Sequence, residues 1–241
     1  MNRKVVSRRW GSRLAALACV IGVLFMGACS PTSAAPTPSA TAQSSTSERP
    51  ANTKKLADSF TAYAQQVLDM AHSNNVDQTQ IDILNKAIQT GHISPGEYET
   101  VWSNFKQCVI DKGNVEPLLI KYTNGMYHPS SFHADDPAKG EKFRVDSADC
   151  QFKFAAYVDA VYSVQQDNPN LYEDPSVGIV DCLHRHNLVA KDYTANDFDR
   201  EKSQNNWEFT FDRNNPDVRA CMVANGLFGV DAQQDTFHDV G

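Results

Sequence analysis

The sequence predicts a mainly α protein of the α+β class: a disulfide-stapled helical domain with a small β-hairpin or three-stranded sheet. Three observations predict it. Apolar residues recur at spacings of three and four along several stretches, so each shares one helix face. Asn124 and Gly125 stand between alternating apolar runs, a short-range hairpin signal. Four cysteines, Cys108, Cys150, Cys182 and Cys221, lie about forty residues apart, which suits disulfides better than the close pairs of a zinc knuckle.

The chain opens with Arg3, Lys4, Arg8, Arg9 and Arg13 and no acid among them, then an apolar run from Leu14 to Ala28 ahead of Cys29. Positive charge, apolar stretch and small residues, in that order, are the pattern of an export signal. The run has 15 residues, short of the roughly 20 a helix needs to cross a bilayer core. Met26, Gly27, Ala28 and Cys29 resemble the lipobox of bacterial lipoproteins, with Met where Leu is usual. The resemblance implies a signal peptide over 1–28 and a diacylglycerol-modified Cys29 as the mature N-terminus. Cys19 would leave too short an apolar run before it. Secretion after a small residue such as Ala35, and an uncleaved anchor, are the alternatives.

Residues 29–52 form the next segment, the lipidated cysteine and a tether of Ser, Thr, Pro and Ala. It lacks the aromatic and branched side chains that offset ordering entropy, so no packed structure is expected there. As a flexible coil the 23 residues after Cys29 would average about 26 Å end to end. The remaining segment, 53–241, is the predicted extracytoplasmic domain. The chain holds 22 basic and 29 acidic side chains; removing the five leader cations leaves 17 against 29, a net charge near −12. Such a surface repels polyphosphates, which argues against nucleic acid as a partner. Membrane attachment through the N-terminal lipid, and an envelope protein, peptide or glycan as ligand, remain.

Within the domain, Leu56, Phe60, Tyr63, Ala64, Val67 and Ala71 predict a first helix. A second runs from Asp77 to Thr90, with Ile81, Leu84 and Ile88 inward and Gly91 as its C-terminal cap. Ser94, Pro95 and Glu97 give a capping-box start to a third, carrying Tyr98, Val101, Trp102, Phe105 and Cys108 on one side. Val115 to Phe132 reads as the hairpin, both central residues of its turn taking positive φ. Asp146 or Ser147 starts a long helix to about Gln166, expected to be uninterrupted and central to the core.

The last third holds a weak repeat. Asp174-Pro175 leads to Cys182 and Asn187, and Asn215-Pro216 leads to Cys221 and Gly226, each a short capped helix with a cysteine in its second half and a left-handed residue beyond its end. Cys108 and Gly113 repeat that five-residue step. A cysteine so placed staples a short helix to a neighbour, which short helices need. Of three possible connectivities, Cys108 with Cys150 and Cys182 with Cys221 are favoured because each encloses neighbouring elements. Thr194 with Asp197 caps another short helix. Trp207, Phe209 and Phe211, alternating with polar residues, predict a strand with an aromatic face. From about Gly229 a loose end is expected.

No catalytic motif is present: no Gly-x-Ser-x-Gly, Ser-x-x-Lys, His-Glu-x-x-His or glycine-rich phosphate loop. His184 and His186 are two apart, so a regular helix points them away from each other and towards solvent. Asp192 to Ser203 fails the calcium-loop pattern at its sixth and twelfth positions. Asp135 and Asp136, near His128 and His133, read as a solvated loop. No metal or cofactor is expected. Glu97, Glu99 and Glu173 are the acids a paired-carboxylate glycan hydrolase would draw on. The exposed-ligand candidates are Trp207, Phe209, Phe211 and Tyr122, because flat rings offer contact area at little entropic cost; core packing is the competing reading. Taken together, lipobox, spacer and scattered Cys-[Met/Leu]-x-x-x-[Gly/Asn] segments resemble the envelope lipoproteins of actinobacteria. The resemblance implies a lipid-anchored, non-enzymatic protein on the extracytoplasmic face of the cell membrane that binds a ligand or partner. A cell-wall glycan hydrolase and a purely structural envelope protein are the alternatives.

Overall fold

Local capping signals decide where the helices begin. In the computed structural model, which describes residues 54–204, 207–228 and 238–240, α1 (Phe60–Ser73) starts behind Ser59, whose hydroxyl accepts the Ala62 N–H. Asp77 does the same for α2 (Gln78–Thr90), which ends on Gly91 in the left-handed region. Ser94 and Glu97 close a reciprocal capping box on α3 (Pro95–Asp111). The signal, lipidation and tether assignments over 1–52 lie outside the described residues. Among the described residues no helix is long and apolar enough to cross a membrane.

Leu56 does not join α1. Its N–H donates to Leu171 O at 2.8 Å and Lys55 bridges Tyr172, so the chain leading into α1 is held in extended form against residues 171–173.

The hairpin forms with β1 (Leu119–Lys121) antiparallel to β2 (Tyr127–Pro129), Ile120 opposite His128. Its turn differs from expectation. Gly125 N–H bonds Tyr122 O at 2.9 Å and only Gly125 has positive φ, 82°. This is a three-residue loop, a tight turn followed by a left-handed glycine. The Asn124 side chain accepts the Met126 N–H at 3.1 Å. A second two-stranded sheet pairs β3 (Phe132–His133) in parallel with β4 (His238–Asp239), and Val240 is buried. The chain is therefore tied down at 238–240, contrary to the loose end expected; residues 229–237 lie outside the described residues.

The long central helix ends close to where expected, at Asp167, but is corrected at its start and in its middle. Its N-cap lies at least ten residues earlier than expected, at Asp136, which accepts the Ala138 N–H at 2.8 Å, and the helix starts at Pro137. It also breaks: α4 (Pro137–Phe154) gives way at Ala155 to α5 (Ala156–Asp167). The cause is Gln80 of α2, fully buried. Its amide nitrogen donates to Lys153 O at 2.7 Å and Phe152 O at 3.3 Å, while its oxygen accepts the Tyr157 and Val158 N–H groups at 2.9 and 3.3 Å. One carboxamide thus satisfies the carbonyls ending α4 and the amides starting α5, groups a helix end otherwise leaves without partners.

α6 (Pro175–Arg185), α7 (Ala195–Ser203) and α8 (Pro216–Ala224) follow with their expected caps. Gly113, Asn187 and Gly226 all take positive φ, so the Cys-to-cap step marks helix ends as predicted. The disulfides Cys108–Cys150 and Cys182–Cys221 are present as favoured. The first joins α3 to α4 and the second α6 to α8.

Buried side chains gather in two clusters. The larger involves α1 to α5 around Tyr98, Trp102, Phe105 and Leu84. The smaller lies among α6, α7 and α8 around Leu183, Phe198 and Met222. α8 serves both, Val223 and Ala224 facing the first and Val218, Cys221 and Met222 the second. No strand forms at Trp207–Phe211. Trp207 takes φ 65°, which turns the chain, and the rings pack inward: Phe209 stacks on Phe198 at 5.1 Å and on Phe211 at 4.9 Å. The alternation in sequence marks inward against outward residues here, not pleating.

Candidate functional site

A wide concavity lies between the outer face of α3 and the segment that follows it. Glu99, Trp102, Ser103 and Lys106 recur at three, four and seven, so they form one stripe. Past α3, Gly113 in the left-handed region turns the chain, and Asn114 Nδ2 fastens the turn to Asp146 at 2.9 Å. The chain then runs back along the stripe. Lys106 pairs with Glu116, and Lys121 with Glu99 at 3.2 Å, which sets the direction. Between them opens a groove of about 880 Å³ with Trp102 and Tyr127 on its walls and Val115, Pro117 and Leu118 along its lip. Val115 and Leu118 are exposed, at 44% and 39%.

Beneath the groove the rings interlock. Tyr98 stacks on Tyr162 at 3.8 Å and on Tyr127 at 5.9 Å, and Trp102 sits edge-on to Tyr98 and Phe105. The Tyr98 hydroxyl donates to Asp159 at 2.5 Å and accepts the Tyr127 N–H at 3.1 Å. Burial drives that hydroxyl far above its ordinary value, reinforced by the Asp159 charge. Burial likewise pushes the Asp159 carboxyl up to about 7, although the Tyr98 bond works the other way. As a residue Asp159 is only half-buried; its carboxyl is the enclosed part.

A second cavity of about 200 Å³ adjoins the groove, sharing Pro117 and Leu118 with it and backed by Phe132 and Phe143. Ser130 and Ser147 line it, and both hydroxyls are buried with no hydrogen-bond partner. Trp102 Nε1 on the groove wall likewise closes no hydrogen bond, though its N–H lies near enough to favour the ionised form of Tyr98 slightly. Three of the four such buried groups among the described residues therefore line these two hollows. All three can donate. A buried donor without an acceptor costs about 1–3 kcal/mol; each of these atoms is closed to solvent, so a ligand's acceptor reaches one only where a wall side chain shifts.

The acids named from sequence are all engaged. Glu97 is held at about 2: burial opposes this, but Lys86 and Ser94 outweigh it. Glu99 is lowered by bonds from Lys121 and Tyr127. Glu173 pairs with Lys54 at 2.8 Å. Of the predicted ligand residues, Trp207, Phe209 and Phe211 come together, Trp207 edge-on to Phe209 at 6.5 Å. Phe211 also lines a hollow of about 420 Å³ with Leu188 and Tyr193. Tyr122 does not join them; it packs against the larger core, under the Arg219 guanidinium at 5.5 Å.

The histidines depart from expectation in one respect. His184 is half-buried, and its Nε2 donates to Tyr193 O at 2.8 Å. His186 is exposed and lies 3.4 Å from Asp167. In the loop before α4, His133 meets Asp135 at 3.2 Å, Asp136 caps the helix, and His128 stacks on Phe228 at 4.2 Å. The sequence places Trp102 on one side of the third helix but gives no sign that Pro117, Leu118, Ser130 and Ser147 line a hollow beside it. The helical stripe from Glu99 to Lys106 was the one local signal, and it does not reveal what faces it. Compared with known proteins, the chain matches no family model, no curated protein and no solved structure.

Proposed function

We propose that this chain is a lipid-anchored, non-enzymatic protein of the bacterial cell envelope, held on the extracytoplasmic face through Cys29, whose domain binds a peptide or glycan in the groove beside α3. The observation that carries the binding reading is the pair of adjoining hollows at Pro117–Leu118, the first mixed polar and apolar in its walls and the second mainly apolar, with buried donors without acceptors among their lining residues. Amide or sugar oxygens would complete those donors while the rings cover an apolar face. The acidic balance of the chain disfavours phosphate-rich ligands. Lipobox and spacer support the address, together with two disulfides that suit an oxidising compartment.

The test is titration of the purified protein with short peptides and N-acetylated sugar oligomers, followed by amide NMR shifts. Shifts at Trp102, Leu118 and Ser130 that disappear in Leu118→Arg support the reading. Saturating ligand without shifts there sinks it. The anchor is tested by mass spectrometry: an acyl mass on Cys29, lost in Cys29→Ala, is expected.

A hydrolase reading would use Glu99 and Glu116, which line the same groove. Glycan cleavage needs one carboxyl that keeps a proton, and Glu99 is held below the usual carboxylate range. Release of reducing sugar from cell-wall glycan, abolished in Glu99→Gln, would favour that reading instead.

A further inference from the structure

A second group of side chains has no part in the groove. Asp167 is the last residue of α5, Cys182 lies in α6, His186 follows α6, and Cys221 lies in α8. One donor atom from each lies within 4.8 Å of every other. Two local features aim them. Asn124 Nδ2 holds one Asp167 carboxylate oxygen at 2.8 Å, leaving the other towards His186 Nε2 at 3.4 Å. The disulfide fixes the two sulfurs between α6 and α8, with Cα atoms 5.6 Å apart. Asp167 and both cysteines are buried. The His186 side chain, 46% exposed, opens on a hollow of about 330 Å³.

Two sulfurs, an imidazole nitrogen and a carboxylate oxygen are the donors of a tetrahedral zinc site. With Zn–S near 2.3 Å and Zn–N or Zn–O near 2.1 Å, donors in such a site stand about 3.3 to 3.8 Å apart. The present spread needs only a modest contraction, and the joined sulfurs must separate. Charge fits too. A divalent ion with two thiolates, one carboxylate and a neutral imidazole carries a net −1, and the Arg185 guanidinium stands 3.9 Å from the Asp167 carboxylate.

We propose that reduction of the Cys182–Cys221 bond turns this corner into a four-coordinate site for Zn²⁺, made by Asp167, Cys182, His186 and Cys221. A dithiol reductant supplies two electrons and two protons. The Sγ–Sγ bond breaks, two thiols form, and the reductant leaves as its own disulfide. Zn²⁺ then displaces both thiol protons. The ion spans the same two cysteines, so α6 stays tied to α8 in either redox state. Asn124 acts as the outer support of Asp167, in the way such partners orient metal ligands. The inference is independent of the groove reading, and it needs a thiol reductant delivered to the oxidising compartment proposed above.

The test uses the full chain, reduced by a phosphine, freed of reductant without oxygen, and titrated with Co²⁺. Expected are one equivalent bound with a thiolate-to-cobalt charge-transfer band and tetrahedral visible absorption, displacement by Zn²⁺, and protection of Cys182 and Cys221, but not Cys108 and Cys150, from alkylation. His186→Ala removes a mostly exposed side chain and should leave helical circular dichroism intact while weakening Co²⁺ at least about tenfold; Asp167→Asn should do likewise. Equal affinity in both variants, protection of Cys108 and Cys150 instead, or a reduced chain that loses its helical signal and does not regain it with Co²⁺ would overturn the proposal.

Discussion

The two cores of this domain are closed by almost equal staples and differ in nearly everything else. The disulfides enclose 42 and 39 residues, so in the chain-entropy picture each contributes on the order of 4 kcal/mol. Among the described residues the first core gathers 24 buried apolar side chains and the second eight. Apolar burial scales with area, whereas loop closure scales only with the logarithm of loop length. The same crosslink is therefore a supplement to the first region and a requirement for the second. The polar interior differs as well. The first core is knitted by Gln80 and the Tyr98–Asp159 pair, while the second is closed by Phe198, Phe209 and Phe211 stacked on one another.

Removing the second staple should have the largest effect. Cys182→Ala with Cys221→Ala is expected to cost about 4 kcal/mol and to abolish hydrogen-exchange protection over α6 to α8 while α1 to α5 keep theirs. Cys108→Ala with Cys150→Ala should cost a similar total yet leave both regions protected. Uniform loss in either variant would break the contrast. Gln80→Leu comes next, at about 3 kcal/mol, because it strands the Phe152 carbonyl and the Tyr157 and Val158 amides at the α4–α5 break, while Lys153 O keeps the Asp77 N–H; urea unfolding measures it. Gly178→Ala probes the seam, since an added Cβ would meet Asn225 Oδ1 at 2.1 Å. Overpacking there outweighs the helix preference for alanine, for a net loss of about 1–2 kcal/mol.

The pH dependence comes last, and its two contributions act in separate windows. Asp159, ordinarily 3.8, rests at about 7 in the fold, so the folded chain keeps a proton that the unfolded chain releases. Its contribution is complete below pH 3.8 and is lost as pH rises through about 7. Glu97 and Asp146, both held at about 2, contribute fully above their ordinary values and lose that as pH falls towards 2. Unfolding free energies should pass through a maximum between these limits. Asp159→Asn should flatten the alkaline side alone; an unchanged slope would remove Asp159 from the account.

Capping was legible because it is local. Ser94 with Glu97, Thr194 with Asp197, and the Asp-Pro and Asn-Pro starts each place donor and acceptor within three residues, so spacing alone specifies the bond. Asp136-Pro137 is the same signal as Asp174-Pro175, and reading its acids as a solvated loop hid the start of α4. The break at Ala155 was not legible, since Gln80, more than seventy residues away, creates it. The aromatic alternation at 207–211 was read correctly for sidedness and wrongly for strand, because among the described residues no partner strand stands beside it. The groove was the least legible feature. Its two walls meet only after Gly113 reverses the chain, and neither the stripe from Glu99 to Lys106 nor the lip at Pro117–Leu118 announces the other.

By itself the sequence determined the helix boundaries that carry caps, the place of the hairpin and the acidic balance, which rest on near neighbours or on composition, and it favoured the two cysteine pairings that the fold then closed. Only the tertiary structure decided where the central helix breaks, which rings close the second core, that buried donors line the hollows beside α3, and that Asp167 and His186 converge on a disulfide. Those depend on side chains far apart in sequence competing for one buried place, and burial is settled by the whole packing at once.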